Sequence, residues 1–164
     1  MTFKESIREE KLFNKNWKFK KGDLEKAHKT NYLDNNWRTL DLPHDWSIEG
    51  PFAKNNPARA RGGYLPGGIG WYRKHFNVKS EKEGKKIFLK FGGIYHNSEV
   101  WVNGNYVGKR PYGYVSFQYD ITSLINFESE NIISVRVDNS DQINCRWYSG
   151  SGIYRNVQLL FTDK

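Results

Sequence analysis

Between Trp71 and Val78 the chain alternates, with Trp71, Arg73 and His75 on one side and Tyr72, Lys74 and Phe76 on the other. A period of two is the spacing of a β-strand, whose successive side chains point to opposite faces. Lys86–Phe91 repeats the pattern, setting Ile87, Leu89 and Phe91 against Phe88 and Lys90. Asn131–Val137 does the same, with Ile132, Ser134 and Arg136 against Ile133, Val135 and Val137. Shorter runs at Trp17–Lys20, Trp37–Leu42, Val115–Tyr119 and Tyr154–Phe161 carry aromatic and β-branched residues that suit strands. Asn103-Gly104-Asn105 separates Glu99–Val102 from Tyr106–Gly108 and predicts a tight hairpin, because Asn and Gly tolerate positive φ. Asp120–Ile125 reads as one helical turn, with Asp120 as acceptor for its free amides.

About nine strands at this spacing predict an all-β fold, an antiparallel β-sandwich of jelly-roll type. Residues 1–11 are expected to be a flexible lead-in or a short helix, and residues 12–164 the sandwich. Ser47–Gly70 breaks the pattern: Pro51, Pro57, Pro66 and repeated glycines fit no regular element. A loop of that length inside a compact domain is usually functional or packed against something else.

Composition narrows the class. A chain of 164 residues is long enough for one buried core, and 6 Trp, 10 Tyr and 10 Phe argue against disorder. The net charge of +8 raises the question of a polyanionic partner. Much of the excess is lysine scattered among acids, as at Lys79, Glu81, Lys82 and Glu83, with no basic stripe interleaved with aromatics, so a solvated surface is expected and not a nucleic-acid site. The single Cys145 excludes an internal disulfide and multi-cysteine zinc patterns. No apolar run is long enough to cross a membrane, and Met1–Lys11 lacks the apolar segment of a signal peptide. Localisation is left open: periplasmic or secreted in a bacterium if a leader has been removed upstream, cytoplasmic otherwise. His44 has no second histidine at ligand spacing, since His28, His75 and His96 are dispersed, so a structural role and no metal or cofactor are expected.

The richest stretch is Arg146-Trp147-Tyr148-Ser149-Gly150-Ser151-Gly152-Ile153-Tyr154-Arg155. A guanidinium and planar aromatics on a glycine-bearing loop suit a flat, hydroxyl-rich ligand or a partner surface. It follows, in order, Leu42-Pro43-His44-Asp45-Trp46, Gly62-Gly63-Tyr64, Gly70-Trp71-Tyr72-Arg73-Lys74, Phe91-Gly92-Gly93-Ile94, Val100-Trp101-Val102-Asn103-Gly104 and Tyr119-Asp120-Ile121-Thr122. The series, from about Leu12 to Phe161, resembles the N-terminal sugar-binding domain of glycoside hydrolase family 2, most closely its β-galactosidases.

The resemblance implies a galactose-binding-like jelly roll, followed in intact enzymes by an immunoglobulin-like sandwich and a TIM barrel. The barrel carries the two glutamates of a retaining mechanism, so the expected role here is non-catalytic, supporting the barrel and lending loop residues to its active-site rim. The expected ligand is a β-galactoside-type carbohydrate. An autonomous carbohydrate-binding module is the alternative. Asp41 with Asp45, Glu81 with Glu83 and Asp138 with Asp141 are the acidic pairs, and none is read as catalytic. Asp45, Arg146 and Trp147 are the candidate rim residues. Asp45 fits either an acceptor for sugar hydroxyls or an Asx-turn. Arg146 fits a sugar or carboxylate contact or an ion pair, and it stands where some family members place an aspartate that reaches the active site. Trp147 fits stacking on a sugar or filling the core. Trp101 is expected to pack in the core, Tyr154 to serve in packing, and Arg155 to form an ion pair. The two loops are expected to share one end of the sandwich, exposing there Trp46, Phe52, Tyr64, Leu65 or Trp147 for docking.

Overall fold

The computed structural model describes residues 8–163, which form two antiparallel sheets packed face to face. The strands are β1 (Glu9–Leu12), β2 (Trp17–Lys21), β3 (Arg38–Leu40), β4 (Gly68–Asn77), β5 (Lys86–Phe91), β6 (Ser98–Val102), β7 (Asn105–Arg110), β8 (Phe117–Asp120), β9 (Glu130–Asn139) and β10 (Val157–Thr162). One sheet has four strands in the order β1-β10-β5-β8, and the other six in the order β3-β2-β4-β9-β6-β7. This is the all-β jelly roll that the alternation predicts.

The core follows from that alternation. Ile87, Leu89 and Phe91 of β5 meet Tyr72, Val100, Val102, Ile133, Val135 and Val137 of the larger sheet, all fully buried. Asn103 and Gly104, at φ 50° and 78°, close the β6–β7 hairpin as expected. Asp120 accepts the Thr122 amide at 3.0 Å at the start of a 3-10 turn, Thr122–Leu124.

Several expectations need correction. Glu9–Lys11, placed in the lead-in, forms a strand together with Leu12: the strand pairs with β10 through Glu9↔Phe161 to Leu12↔Gln158 and covers a sheet edge. Residues 1–7 of that lead-in lie outside the described residues. The closing strand starts at Val157, three residues later than its aromatic composition suggested. β4 is buried on both faces, not one, because residues 22–37 lie across the outer side of the larger sheet. There Trp71 joins Ala27 and Trp37 in a second apolar cluster. Trp101 packs in that outer layer and not in the main core, stacked between Trp71 and His28 with both centroid separations 5.4 Å. Arg73, fully buried, donates to Asp34 Oδ2 at 2.7 Å and to Ser134 Oγ at 3.1 Å. That ion pair ties the covering segment to the sheet.

Candidate functional site

Register gathers the loops. β4 and β9 pair from Gly68↔Asn139 to Asn77↔Glu130, so the segment entering β4 and the segment leaving β9 emerge side by side. β6 begins at the same end, opposite Arg136, and Ser98 faces Arg110 at the end of β7. Residues 41–67, 92–97, 111–116 and 140–156 therefore meet at one end of the sandwich.

Residues 150–153 thread between two of these segments. His44 N donates to Ile153 O at 2.9 Å and Trp46 N to Ser151 O at 3.1 Å, while Tyr95 and Gly152 exchange two backbone bonds of 2.9 Å. Asp45 locks the crossing. Its Oδ1 accepts the Ser47 amide at 2.9 Å, the Asx-turn, and also the Ser151 amide at 2.8 Å. Its Oδ2 accepts the Tyr148 hydroxyl. Burial, reinforced by the Asp45 carboxylate, pushes the Tyr148 hydroxyl far up, so it stays a donor. A Cβ at Gly150 would lie 2.5 Å from Asp45 Oδ2, so only glycine admits the carboxylate there.

Below Asp45 runs a buried polar chain. Ser47 Oγ lies 2.5 Å from Pro66 O and 2.6 Å from Ser151 Oγ, and Asn139 Nδ2 lies 2.7 Å from Ser151 Oγ. Each hydroxyl has one proton, so one direction satisfies all: Asn139 donates to Ser151, Ser151 to Ser47, and Ser47 to the Pro66 carbonyl. Asn139 Oδ1 in turn accepts Gln142 and Asn144, each at 2.8 Å. The last residue of β9 thus fixes both loops.

His44 is structural, as its isolation suggested. Its Nδ1 lies 2.7 Å from the Tyr72 hydroxyl and its Nε2 2.9 Å from Arg38 and 3.2 Å from Glu49. Burial holds its pKa below the usual histidine value.

The candidate rim residues divide. Asp45 is half-buried and engaged on both oxygens. Arg146 and Trp147 face solvent, Trp147 at 66 % exposure, which overturns core filling for Trp147. Trp46 and Leu65, expected in an exposed patch, are buried, whereas Phe52, Tyr64 and Trp147 of that set are exposed. Tyr154 packs as expected, its hydroxyl donating to Gly113 O at 2.7 Å. Arg155 lies over the Tyr154 ring and forms no ion pair among the described residues.

Of the acidic pairs read as non-catalytic, two have one member held as an anion, Asp41 and Asp138. Lys15 draws Asp41 down, and Ser140 and Arg136 hold Asp138 below its usual value against the opposing effect of burial. A glycosidase general acid needs the reverse, a raised pKa. Between the loops, Ser47, Leu65, Gly67, Gln142 and Trp147 border a cleft of about 290 Å³, open solvent included. That is below the span of roughly 300–1,000 Å³ that encloses small ligands.

Sequence reasoning passed over Tyr148, Ser151, Asn139 and Ser47. Polar residues within glycine-rich loops look like ordinary turn chemistry, and only the β4–β9 register brings them together.

A jelly roll whose long loops are fastened together at one end is a binding-domain architecture of the galactose-binding type. Residues 11–163 match the family described as glycosyl hydrolases family 2, sugar binding domain, and the chain belongs to that family. It is 53 % identical over 154 residues to a β-galactosidase of Bacteroides ovatus, covering 94 % of this chain and 18 % of that protein. A putative β-glucuronidase of Formosa agariphila is 46 % identical, with 95 % of this chain and 15 % of that protein covered. Among solved structures, a β-glycosidase from Bacteroides vulgatus superposes with a TM-score of 0.91 at 49 % identity, over 93 % of this chain and 20 % of that one. The chain spans about a fifth or less of the length of these relatives.

Proposed function

We propose that this domain serves a retaining, β-galactosidase-like glycosidase as a non-catalytic element, packing beside a TIM barrel and an immunoglobulin-like sandwich and lending Asp45, Arg146 and Trp147 to the active-site rim. The observation that carries the reading is the fastening of the two loops by Asp45, with Trp147 left projecting at 66 % exposure. A domain that bound sugar by itself would enclose it, whereas the cleft between these two loops falls below ligand size. Completion of a site by a second domain accounts for both facts. The Asp41, Asp45, Glu49 and Asp138 carboxylates of this end are engaged as acceptors or ion pairs, which fits catalysis by glutamates elsewhere.

Two measurements test this. The 164-residue chain should hydrolyse no aryl β-galactoside above buffer, and should bind galactose with a Kd on the order of millimolar or weaker. In the parent enzyme, Trp147→Ala should lower kcat/KM by up to about tenfold, the scale of one aromatic contact. Turnover by the chain itself, or an unchanged kcat/KM for the variant, would defeat the proposal. Micromolar galactose binding would favour an autonomous carbohydrate-binding module.

A further inference from the structure

The loops that meet at this end differ from the rest of the surface in charge. No Asp or Glu occurs from Gly50 to Ser80, and none from Gln142 to Thr162. Within that acid-free sequence the end carries Lys54, Arg59, Arg61, Arg146 and Arg155, all exposed. The neighbouring acids are already committed: Glu49 to Arg38 at 2.6 Å, Asp41 to Lys15 at 2.7 Å, and Asp45 to two amides and Tyr148. Asp141 is the one further acid in these loops. Among the described residues, none of these five cations has a carboxylate within ion-pair distance; elsewhere Lys82, Lys85 and Lys86 are paired with Glu9, Asp163 and Asp120, while Lys29 and Lys79 are not paired.

Three of these cations adjoin one cleft along the chain. Ala58, Gly62, Cys145 and Trp147 line the cleft between the loops, and Arg59, Arg61 and Arg146 are their immediate chain neighbours. Gly62 and Gln142 approach so closely that a Cβ on the glycine would lie 4.0 Å from Gln142 Oε1, so the two loops touch here. An exposed indole and unpaired guanidinium groups on the loops bordering one cleft are the combination that suits a charged sugar, offering a flat face for the ring and forked donors for its anion.

We propose that this end recognises an anionic saccharide, a galactose-containing chain bearing carboxylate or sulfate, through Arg59, Arg61 and Arg146 around Trp147. The proposal rests on the rim reading above and adds the charge of the substrate to it. Guanidinium groups match carboxylate and sulfate alike, so the shared chemistry is a sugar-borne oxyanion. Because the three contacts are exposed, each contributes a factor of about two to five, and the effect weakens with salt.

The test compares two charge-matched triple variants of the 164-residue chain, whose own two-sheet core is closed. Arg59→Gln/Arg61→Gln/Arg146→Gln alters the loop end. Lys29→Gln/Lys79→Gln/Lys85→Gln removes the same charge elsewhere. Binding is measured at 50 mM salt to a neutral galacto-oligosaccharide and to uronate-bearing and sulfated oligosaccharides of equal length. The unaltered chain should bind at least one of the anionic oligosaccharides about tenfold more tightly than the neutral one. The arginine variant should lose that preference, and the lysine variant should keep it. Equal losses in both variants would mean that overall charge suffices and would overturn the proposal, as would absence of any anionic preference. If anionic and neutral ligands bind alike and Trp147→Ala weakens both, the rim reading survives and the charge proposal alone fails. Preference for only one of carboxylate and sulfate identifies the anion.

Discussion

Asp45→Ala would test whether the two loops are one unit. The substitution removes the acceptor of the Ser47 and Ser151 amides, in residues only 4 % and 0 % exposed. A buried donor left without a partner costs roughly 1–3 kcal/mol. Tyr148 is 44 % exposed, and its hydroxyl can turn to water at little cost. With partial rescue by water at the more open amide, the sum is about 3 kcal/mol. For a domain of this size each kcal/mol moves the melting temperature by about 2–4 °C, so the expected fall is roughly 6–12 °C. Asp45→Asn keeps one carbonyl oxygen for the amides and should cost only about 1 kcal/mol. Thermal unfolding gives the shift, and amide exchange by NMR locates it. Exchange should accelerate at Ser47 and Ser151 together, since one carboxylate protects both. A melting temperature within about 1 °C of the unaltered chain, with the Ser151 amide still protected, would refute the clamp.

Gly152 sits at φ 123°, where a Cβ would overlap the Tyr72 hydroxyl and stand 2.9 Å from the His44 carbonyl, so Gly152→Ala should destabilise by about 3 kcal/mol or more in a urea titration. Asp34→Ala would leave Arg73 charged, fully buried and without its carboxylate, at a cost of about 3–5 kcal/mol, readable as a melting temperature lowered by about 10 °C. His44 has its pKa depressed by burial, so the unfolded chain takes up its proton first as pH falls below about 6.5, and stability should decline there by at most about 1.4 kcal/mol per pH unit. His44→Gln should flatten that part of the stability profile, and an unchanged slope would assign it to another group.

How far the sequence spoke depended on whether its physics was local. The β5 and β9 alternations, the Asn103-Gly104 turn and the Asp120 cap each depend on residues close together in the chain, and each is found where it was expected. β1 was missed because Glu9-Glu10-Lys11-Leu12 has no strand pattern; it becomes a strand only because β10 offers an edge. Trp101 was misplaced for a related reason. Alternation says that Val100 and Trp101 face opposite ways, but not that residues 22–37 give the outer face a core of its own. At the site, the chemistry of Asp45 was legible as two alternatives, and the structure shows the turn-forming one made and extended to Ser151. Asn139, Ser151 and Ser47 lie up to 104 positions apart in the chain, and no spacing rule links them.

The two arms of the site are held with unequal strength, and that inequality bears on what each can do. Arg146 and Trp147 sit on a loop anchored through Tyr148 and Ser151 to Asp45, and through Ser151 to Asn139, the last residue of β9, in the centre of the larger sheet. Residues 51–64 are tied mainly to themselves, by Asn56 donating to Pro51 O and Tyr64 O and by Tyr64 N to Arg59 O, with the firmer anchors at Pro66 and Gly67 beyond. A compact loop closed on itself opens locally at less cost than one bonded into a central strand. Orientation of a ligand demands placement within about 0.5 Å, which only the β9-anchored arm is built to give. Attraction of an anion over several ångströms demands only charge, which a looser arm carrying Arg59 and Arg61 supplies as well as a rigid one. On the proposed reading, the division between a β9-anchored aromatic arm and a looser basic arm assigns positioning to the first and electrostatic capture to the second.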